Sequence, residues 1–155
     1  MLVSQIVGNY DSSIKSDTKL CFKNDNSEVL NILKTFKTAQ SKDSLYNSLG
    51  IDNPFIKKKP IVKEKLELFL IEENYQDALK QANKESIWSK EHFDSEYKIN
   101  FSEENCSFYI SNPIYSKDRN IALVFVKISN HSSIELYELN NDQWVFIGNF
   151  ANFLY

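Results

Sequence analysis

Arginine is all but missing from this chain of 155 residues: Arg119 is the only one among 18 lysines and arginines. A site that grips phosphate or carboxylate with several guanidinium forks is thereby excluded. Histidine is as scarce, with His92 and His131 alone, so no three-histidine zinc site can form within one chain. The three glycines, Gly8, Gly50 and Gly148, are too scattered to make a phosphate-cradling loop. No stretch reaches the ~20 apolar residues of a membrane-spanning helix. Met1 to Gly8 lacks the basic start and sustained apolar run of a signal peptide. Cys21 and Cys106 can form one disulfide at most. Neither has a CxxC neighbour, and two buried free thiols are the simpler expectation.

What is present is aromatic. Eleven Phe and eight Tyr bring the aromatic share to 14%, enough large side chains for a core without a metal or disulfide staple. A chain of this length buries roughly 70% of the surface its unfolded form exposes. The net charge of −3 argues against a nucleic-acid binder working by bulk electrostatics. These totals point to a single domain over residues 1–155, with residues 1–60 as a loosely attached N-terminal helical part and residues 61–155 as a helix plus sheet. The expected setting is the cytoplasm, unless a leader precedes this sequence.

Leu2 to Val7 and Thr18 to Lys23 each read as a short strand. Asp25 and Asn26 offer an N-cap before Val29, Leu30, Leu33 and Phe36, whose spacing predicts a helix to about Gln40. A second helix is expected over Lys42–Leu49, with Gly50 as its stop. Asn53-Pro54 and Lys57 to Pro60 mark a connector. Beyond it, Leu66, Leu68 and Leu70 alternate like a strand, while Val62, Leu66 and Phe69 fit a helix; the run is too short for periodicity to decide. Tyr75, Ala78, Leu79 and Ala82 define one face of a helix over about Asn74–Lys84. From Tyr97 the helical period stops. Short strands follow at Tyr97–Phe101, Ser107–Ile110, Ile121–Ile128, Ile134–Leu139 and Trp144–Ile147, separated by turns at Ser116–Asn120, Asn130–Ser133 and Asn140–Gln143. Pro113 ends one strand's ladder. Ile121–Ile128 is nearly all apolar, as in a central strand covered on both faces. The expected class is α+β: N-terminal helices packed on one face of a C-terminal antiparallel β-meander.

The block from Ser111-Asn-Pro-Ile-Tyr-Ser-Lys-Asp-Arg-Asn-Ile-Ala-Leu-Val124 to Leu136-Tyr-Glu-Leu-Asn-Asn-Asp-Gln-Trp144 resembles a group of uncharacterised proteins of Bacteroidetes-type bacteria. They share S-x-P-[IL]-[FY]-S-x-D-x-x-x-A-[LF], then a strand, then N-G-x-W, with an upstream tryptophan after a helix; Asn74 to Trp88 is similar to that part. The resemblance covers about residues 74–148. The chain departs from the pattern where Asn130-His-Ser-Ser133 replaces a Cys-Gly-rich insert, and where Asp142-Gln143 replaces the Gly before Trp144. The resemblance implies architecture and no chemistry. Pro-x-x-Ser-x-Asp-x-x-x-Ala-x-Val also occurs in single β-propeller blades, but one blade without a second copy closes no ring.

Candidate chemistry is sparse. His131 with Glu135, or His92 with Glu91 and Asp94, can be written as an acid/base pair. An exposed histidine in a polar stretch explains each more simply. A Cys106 nucleophile with His131 lacks thiolate activation, because Glu103 and Glu104 would raise the thiol pKa. Asp118 in its turn is explained by capping its own backbone. Lys57 to Lys59 reads as a solvated connector, and Trp88 and Trp144 as core anchors. No catalytic set, metal site or cofactor is expected. The favoured reading is a non-enzymatic protein-binding module, one form of which is an immunity or antitoxin-like partner. Its candidate interaction turns are Ser116, Lys117, Asp118, Arg119, Asn130 and His131. One alternative is a small hydrolase or transferase using His131, Glu135 and Asp118, which requires those side chains to converge. Another is a cavity that takes a small apolar ligand. The expected partner is another protein, with neither nucleic acid nor membrane involved.

Overall fold

Leu2, Val3, Ile6 and Val7 recur at a spacing of four, which a helix gathers on one face. The computed structural model describes residues 1–10, 18–23, 25–39, 43, 46–47, 59–82 and 106–154. It forms helix α1 over Leu2–Asn9 with all four of those side chains buried. The strand expected over Leu2–Val7 is therefore corrected. Six residues fit both periods, and the apolar sheet face that α1 covers decides between them.

Strand β1 spans Leu20–Lys23. Helix α2 spans Ser27–Thr38 with Asn26 as its N-cap, and it buries Val29, Leu33 and Phe36. The Asp25 carboxylate accepts the Ser27 backbone N–H at 2.6 Å. Helix α3 spans Lys59–Leu70 and buries Val62, Leu66 and Phe69, so the helical spacing prevails over the strand-like alternation. Helix α4 follows over Glu72–Ala82. Lys37 of α2 joins the two: its Nζ donates to the Leu70 carbonyl at 2.9 Å and pairs with Glu72 at 2.8 Å. A cation at the end of α3 and an anion in the first turn of α4 both suit the helix dipole. Of the helix expected over Lys42–Leu49, only Asp43, Tyr46 and Asn47 are described. Tyr46 is fully buried, with its ring 5.1 Å from that of Phe36 and its hydroxyl donating to Glu67 at 2.9 Å. Trp88, His92, the strand expected over Tyr97–Phe101 and most of the connector before Pro60 lie outside the described residues.

The sheet continues with β2 (Phe108–Ser111), β3 (Ile114–Tyr115), β4 (Ile121–Ile128), β5 (His131–Asn140) and β6 (Gln143–Leu154). Its order is β1-β2-β4-β5-β6, with β3 also pairing with β4. All pairings are antiparallel except β1 with β2. The class is α+β, with a meander that gains one parallel edge strand.

Two apolar clusters flank this sheet. On one face α2, α3 and α4 pack against Leu123, Phe125, Ile134, Leu136 and Phe150. On the other, α1 packs against Phe108, Ile110, Val124, Val126 and Tyr137. Helices thus cover both faces rather than the one expected, and the first six residues of β4 are buried. The N-terminal part expected to be loosely attached supplies β1 to the sheet and α1 and α2 to the two clusters. No helix among the described residues is long and apolar enough to cross a membrane.

The turn expected over Asn130–Ser133 contracts to Ser129-Asn130, because His131 already pairs with Ile128. Asn141 and Asp142, with φ of 48° and 61°, make the next hairpin turn. Positive φ at both central residues matches the right-handed twist of the flanking strands.

Cys21 and Cys106 form a disulfide with a Cα–Cα distance of 5.9 Å, which corrects the expectation of free thiols. The parallel pairing of β1 with β2 brings the two together, a contact that sequence spacing does not reveal. Protein purified without reductant is expected to show no free thiol when denatured and titrated with a thiol reagent. Reduction should then lower its unfolding free energy in urea by about 2–4 kcal/mol.

Gly148 on β6 lies under α3, where an added Cβ would come within 2.6 Å of Val62 Cγ2. Gly148→Ala is expected to destabilise the fold by about 1–3 kcal/mol through overpacking, read by urea denaturation. A wild-type midpoint would show that α3 shifts freely.

Candidate functional site

The Ser116–Asn120 turn is built by its own hydroxyl and carboxylate. Ser116 Oγ donates to Asp118 Oδ1 at 2.5 Å and accepts the Ile121 backbone N–H at 3.0 Å. Asp118 also accepts the Asn120 backbone and side-chain N–H groups, each at 3.2 Å. These bonds, the one from Ser116 foremost, hold the Asp118 carboxyl below its ordinary pKa. Lys117 is engaged as well, pairing with Glu73 of α4 at 2.6 Å. Arg119, in the left-handed region at φ 63°, makes no ion pair among the described residues. Its guanidinium lies over the Tyr115 ring, 5.3 Å from the centroid.

Tyr115 links this turn to β6, because its ring lies 5.8 Å from that of Trp144. The adjacent pair of Tyr137 and Phe146 meets edge-on at 5.6 Å. Tyr115, Trp144 and Phe146 are all half-buried against the α1-side cluster. Trp144, expected as a core anchor, packs against this cluster but is only half-buried. Gln81, a buried residue of α4, fixes the outer side of β3. Its amide nitrogen donates to the Tyr115 carbonyl at 2.7 Å and its amide oxygen accepts the Tyr115 N–H at 2.9 Å. The result is a rigid aromatic surface with one guanidinium at its border.

The other candidate turn lies elsewhere. Leu139 N–H donates to the Asn120 carbonyl at 2.7 Å, so Ser116–Asn120 sits at the Leu139 end of β5. Asn130 and His131 sit at the opposite end, roughly 26 Å away along an extended strand. The six candidate turn residues therefore form two separate groups. Glu135 is in mid-strand, roughly 13 Å from His131. His131, Glu135 and Asp118 do not converge, so the geometry supplies no shared acid/base step for them.

Glu135 instead belongs to a buried polar cluster beneath α1. It is 2% exposed, and its Oε2 accepts the Tyr137 hydroxyl at 2.5 Å. Its Oε1 accepts the hydroxyl of Tyr10, which follows α1. Asn9 Nδ2 donates to the Tyr137 hydroxyl at 3.0 Å. Burial raises the Glu135 carboxyl above its ordinary value, although both hydroxyls act to lower it. Burial and then the Glu135 charge push both tyrosines above theirs. The sequence allows Glu135 to be written as an acid/base partner of His131, with an exposed histidine as the simpler account. The available signal was the place of Glu135 between Ile134 and Leu136 on a strand whose alternate residue, Tyr137, is also amphipathic.

No family model, curated protein or solved structure matches this chain.

The cluster has a pH signature. The folded state holds the Glu135 proton to higher pH than the unfolded state does, so stability falls as pH rises above the ordinary value of 4.5. The tyrosines act in the same direction above about pH 10. The exposed carboxylates of Glu72 and Glu73 are shifted down by their lysine partners, so their contribution changes only below that window. Urea denaturation should find wild type losing stability, relative to Glu135→Gln, as pH rises above the ordinary carboxyl value of 4.5, a slope that the variant's profile lacks. Parallel profiles would show that the carboxyl is not held in a buried cluster.

Proposed function

We propose that the protein is a non-enzymatic binding module that docks another protein on the surface formed by Tyr115, Arg119 and Trp144. The observation that carries this reading is the lone arginine stacked on Tyr115 beside a half-exposed tryptophan. Tyr, Trp and Arg are the residues in which interface binding energy concentrates. Each offers a large or forked contact at low conformational cost, and here Gln81 and the Ser116–Asp118 bond already hold them. Lys117 and Asp118 are occupied within the chain, which leaves Arg119 to meet a carboxylate on the partner. The partner chemistry is then an acidic side chain bordered by apolar or aromatic groups. Asn130 and His131, at the far end of the sheet, fall outside this surface.

The setting belongs to the proposal. The sequence reading places the chain in the cytoplasm, whereas a disulfide persists most readily in an oxidising compartment. Binding through Arg119 and two aromatic rings works in either. The immunity-like form narrows the partner to a toxic protein, which the aromatic surface would cover.

The test compares affinity capture by wild type, Arg119→Asn, Trp144→Ala and a control, His131→Ala. Asparagine is chosen because it tolerates the left-handed backbone at position 119. A partner is expected to bind wild type and the control alike, and at least about 30-fold more weakly to the other two. Equal capture by all four, or capture of nothing beside measurable turnover by the purified chain, would overturn the reading.

A further inference from the structure

The outer edges of this sheet are treated very differently. β1, at one end of the order, is only four residues long, follows Lys19 and ends on Lys23. A short strand with lysines is a poor template for another strand. β3 has its outer N–H and C=O taken by the amide of Gln81. β6, at the opposite end, runs for twelve residues with no charged residue and no proline from Gln143 to Leu154. Among the described residues it pairs only with β5. In an antiparallel strand every second residue turns its N–H and C=O away from its partner, so β6 presents an open row of donors and acceptors. Val145, 43% exposed, is one of the few large apolar side chains of the fold left in solvent.

The two register irregularities of the β5–β6 pairing fall between Leu136 and Tyr137 and between Ser132 and Ile134. Such bulges bend an edge and spoil it as a template. They leave Gln143–Phe146 regular, in step with Asn140, Leu139, Glu138 and Tyr137. The open edge is therefore best formed at the turn end of the hairpin.

We propose that β6 pairs antiparallel with β6 of a second copy of this chain, joining the two sheets into one across a two-fold axis near Val145. The charge pattern selects this occupant. Two copies of a chain with net charge −3 repel, and symmetric pairing sets residues of the same segment against one another. A charged strand would bring like charges together, whereas β6 meets its own image without opposing any charge. The same neutrality gives a foreign strand no charged position by which to be recognised. This inference rests on the backbone edge of β6, whereas the Tyr115–Trp144 surface uses side-chain rings; the two share Trp144 and are tested by different variants.

The test is sedimentation equilibrium of the full chain over a range of concentrations, for wild type, Val145→Lys and Asn149→Lys. Asn149 is an exposed β6 residue beyond the first bulge and outside the regular Gln143–Phe146 segment, so its variant serves as the control that leaves the dimer intact. Wild type is expected to form a reversible dimer. Val145→Lys, which sets two lysines near the axis, should weaken it at least about tenfold while circular dichroism stays native. Hydrogen exchange should slow at β6 amides as concentration rises. A monomer at every concentration overturns the proposal, as does a dimer that both variants leave intact or one without concentration-dependent protection of β6. Should Val145→Lys fail to fold, the concentration dependence and the exchange pattern of wild type still decide.

Discussion

Two-sided burial of β4 and β5 is the constraint on which the rest of this structure depends. A strand with both faces apolar must be covered twice, and a short meander cannot cover itself. The chain meets this need with α2, α3 and α4 on one side and α1 on the other. Once α1 lies across the second face, the chain that leaves it can enter the sheet as β1 beside β2, running parallel. The disulfide then fastens β1 to Cys106, two residues before β2 begins.

Several interior polar groups follow from the same constraint, since a buried polar group is costly without a partner. Ser111 Oγ accepts the Phe125 N–H at 2.9 Å and donates to the Asn112 carbonyl at 3.0 Å. Ser116 Oγ serves the Ile121 N–H at the next bend. Pro113, which has no N–H to satisfy, stands where the strand breaks into β2 and β3. The Ser-x-Pro and Ser-x-Asp letters of this block are thus substitutes for ladder bonds where the backbone turns away. They account for the architecture of the block without any chemistry.

Much of the sheet was legible because its signals are local. The apolar run Ile121–Ile128, the polar turns and Pro113 each act within a few residues, and the structure places β4 and the turn before it where they indicate, while the turn after it is shorter than expected. The spacing of Val29, Leu33 and Phe36 identified α2 in the same way. What escaped depends on distant partners. α1 is too short for its period to declare itself, and Cys21 meets Cys106 only through strand pairing. Glu135 reads as a surface residue until α1 is laid over it, after which Tyr10 and Tyr137 make its burial tenable. Gln81 gives no local sign that its amide completes β3. Of the candidate site, Ser116 to Arg119 was legible as a turn. Its union with Tyr115 and Trp144 was not, since it spans the width of the sheet.

That union also explains why a surface at a turn can act as a rigid one. Turns are ordinarily the mobile parts of a sheet, and a mobile anchor loses affinity through the ordering it must undergo on binding. Here Asp118 and Ser116 lock the turn from within, Lys117 ties it to α4 through Glu73, and Gln81 holds Tyr115 by both backbone groups. Trp144 follows the Asn141-Asp142 turn after a single residue, Gln143, and the turn's conformation fixes its register opposite Leu139. Arg119 is left with its charge outward on a support that does not have to be ordered. Among the described side chains around this turn, it is the one whose contacts within the chain are weakest relative to what a partner carboxylate would provide.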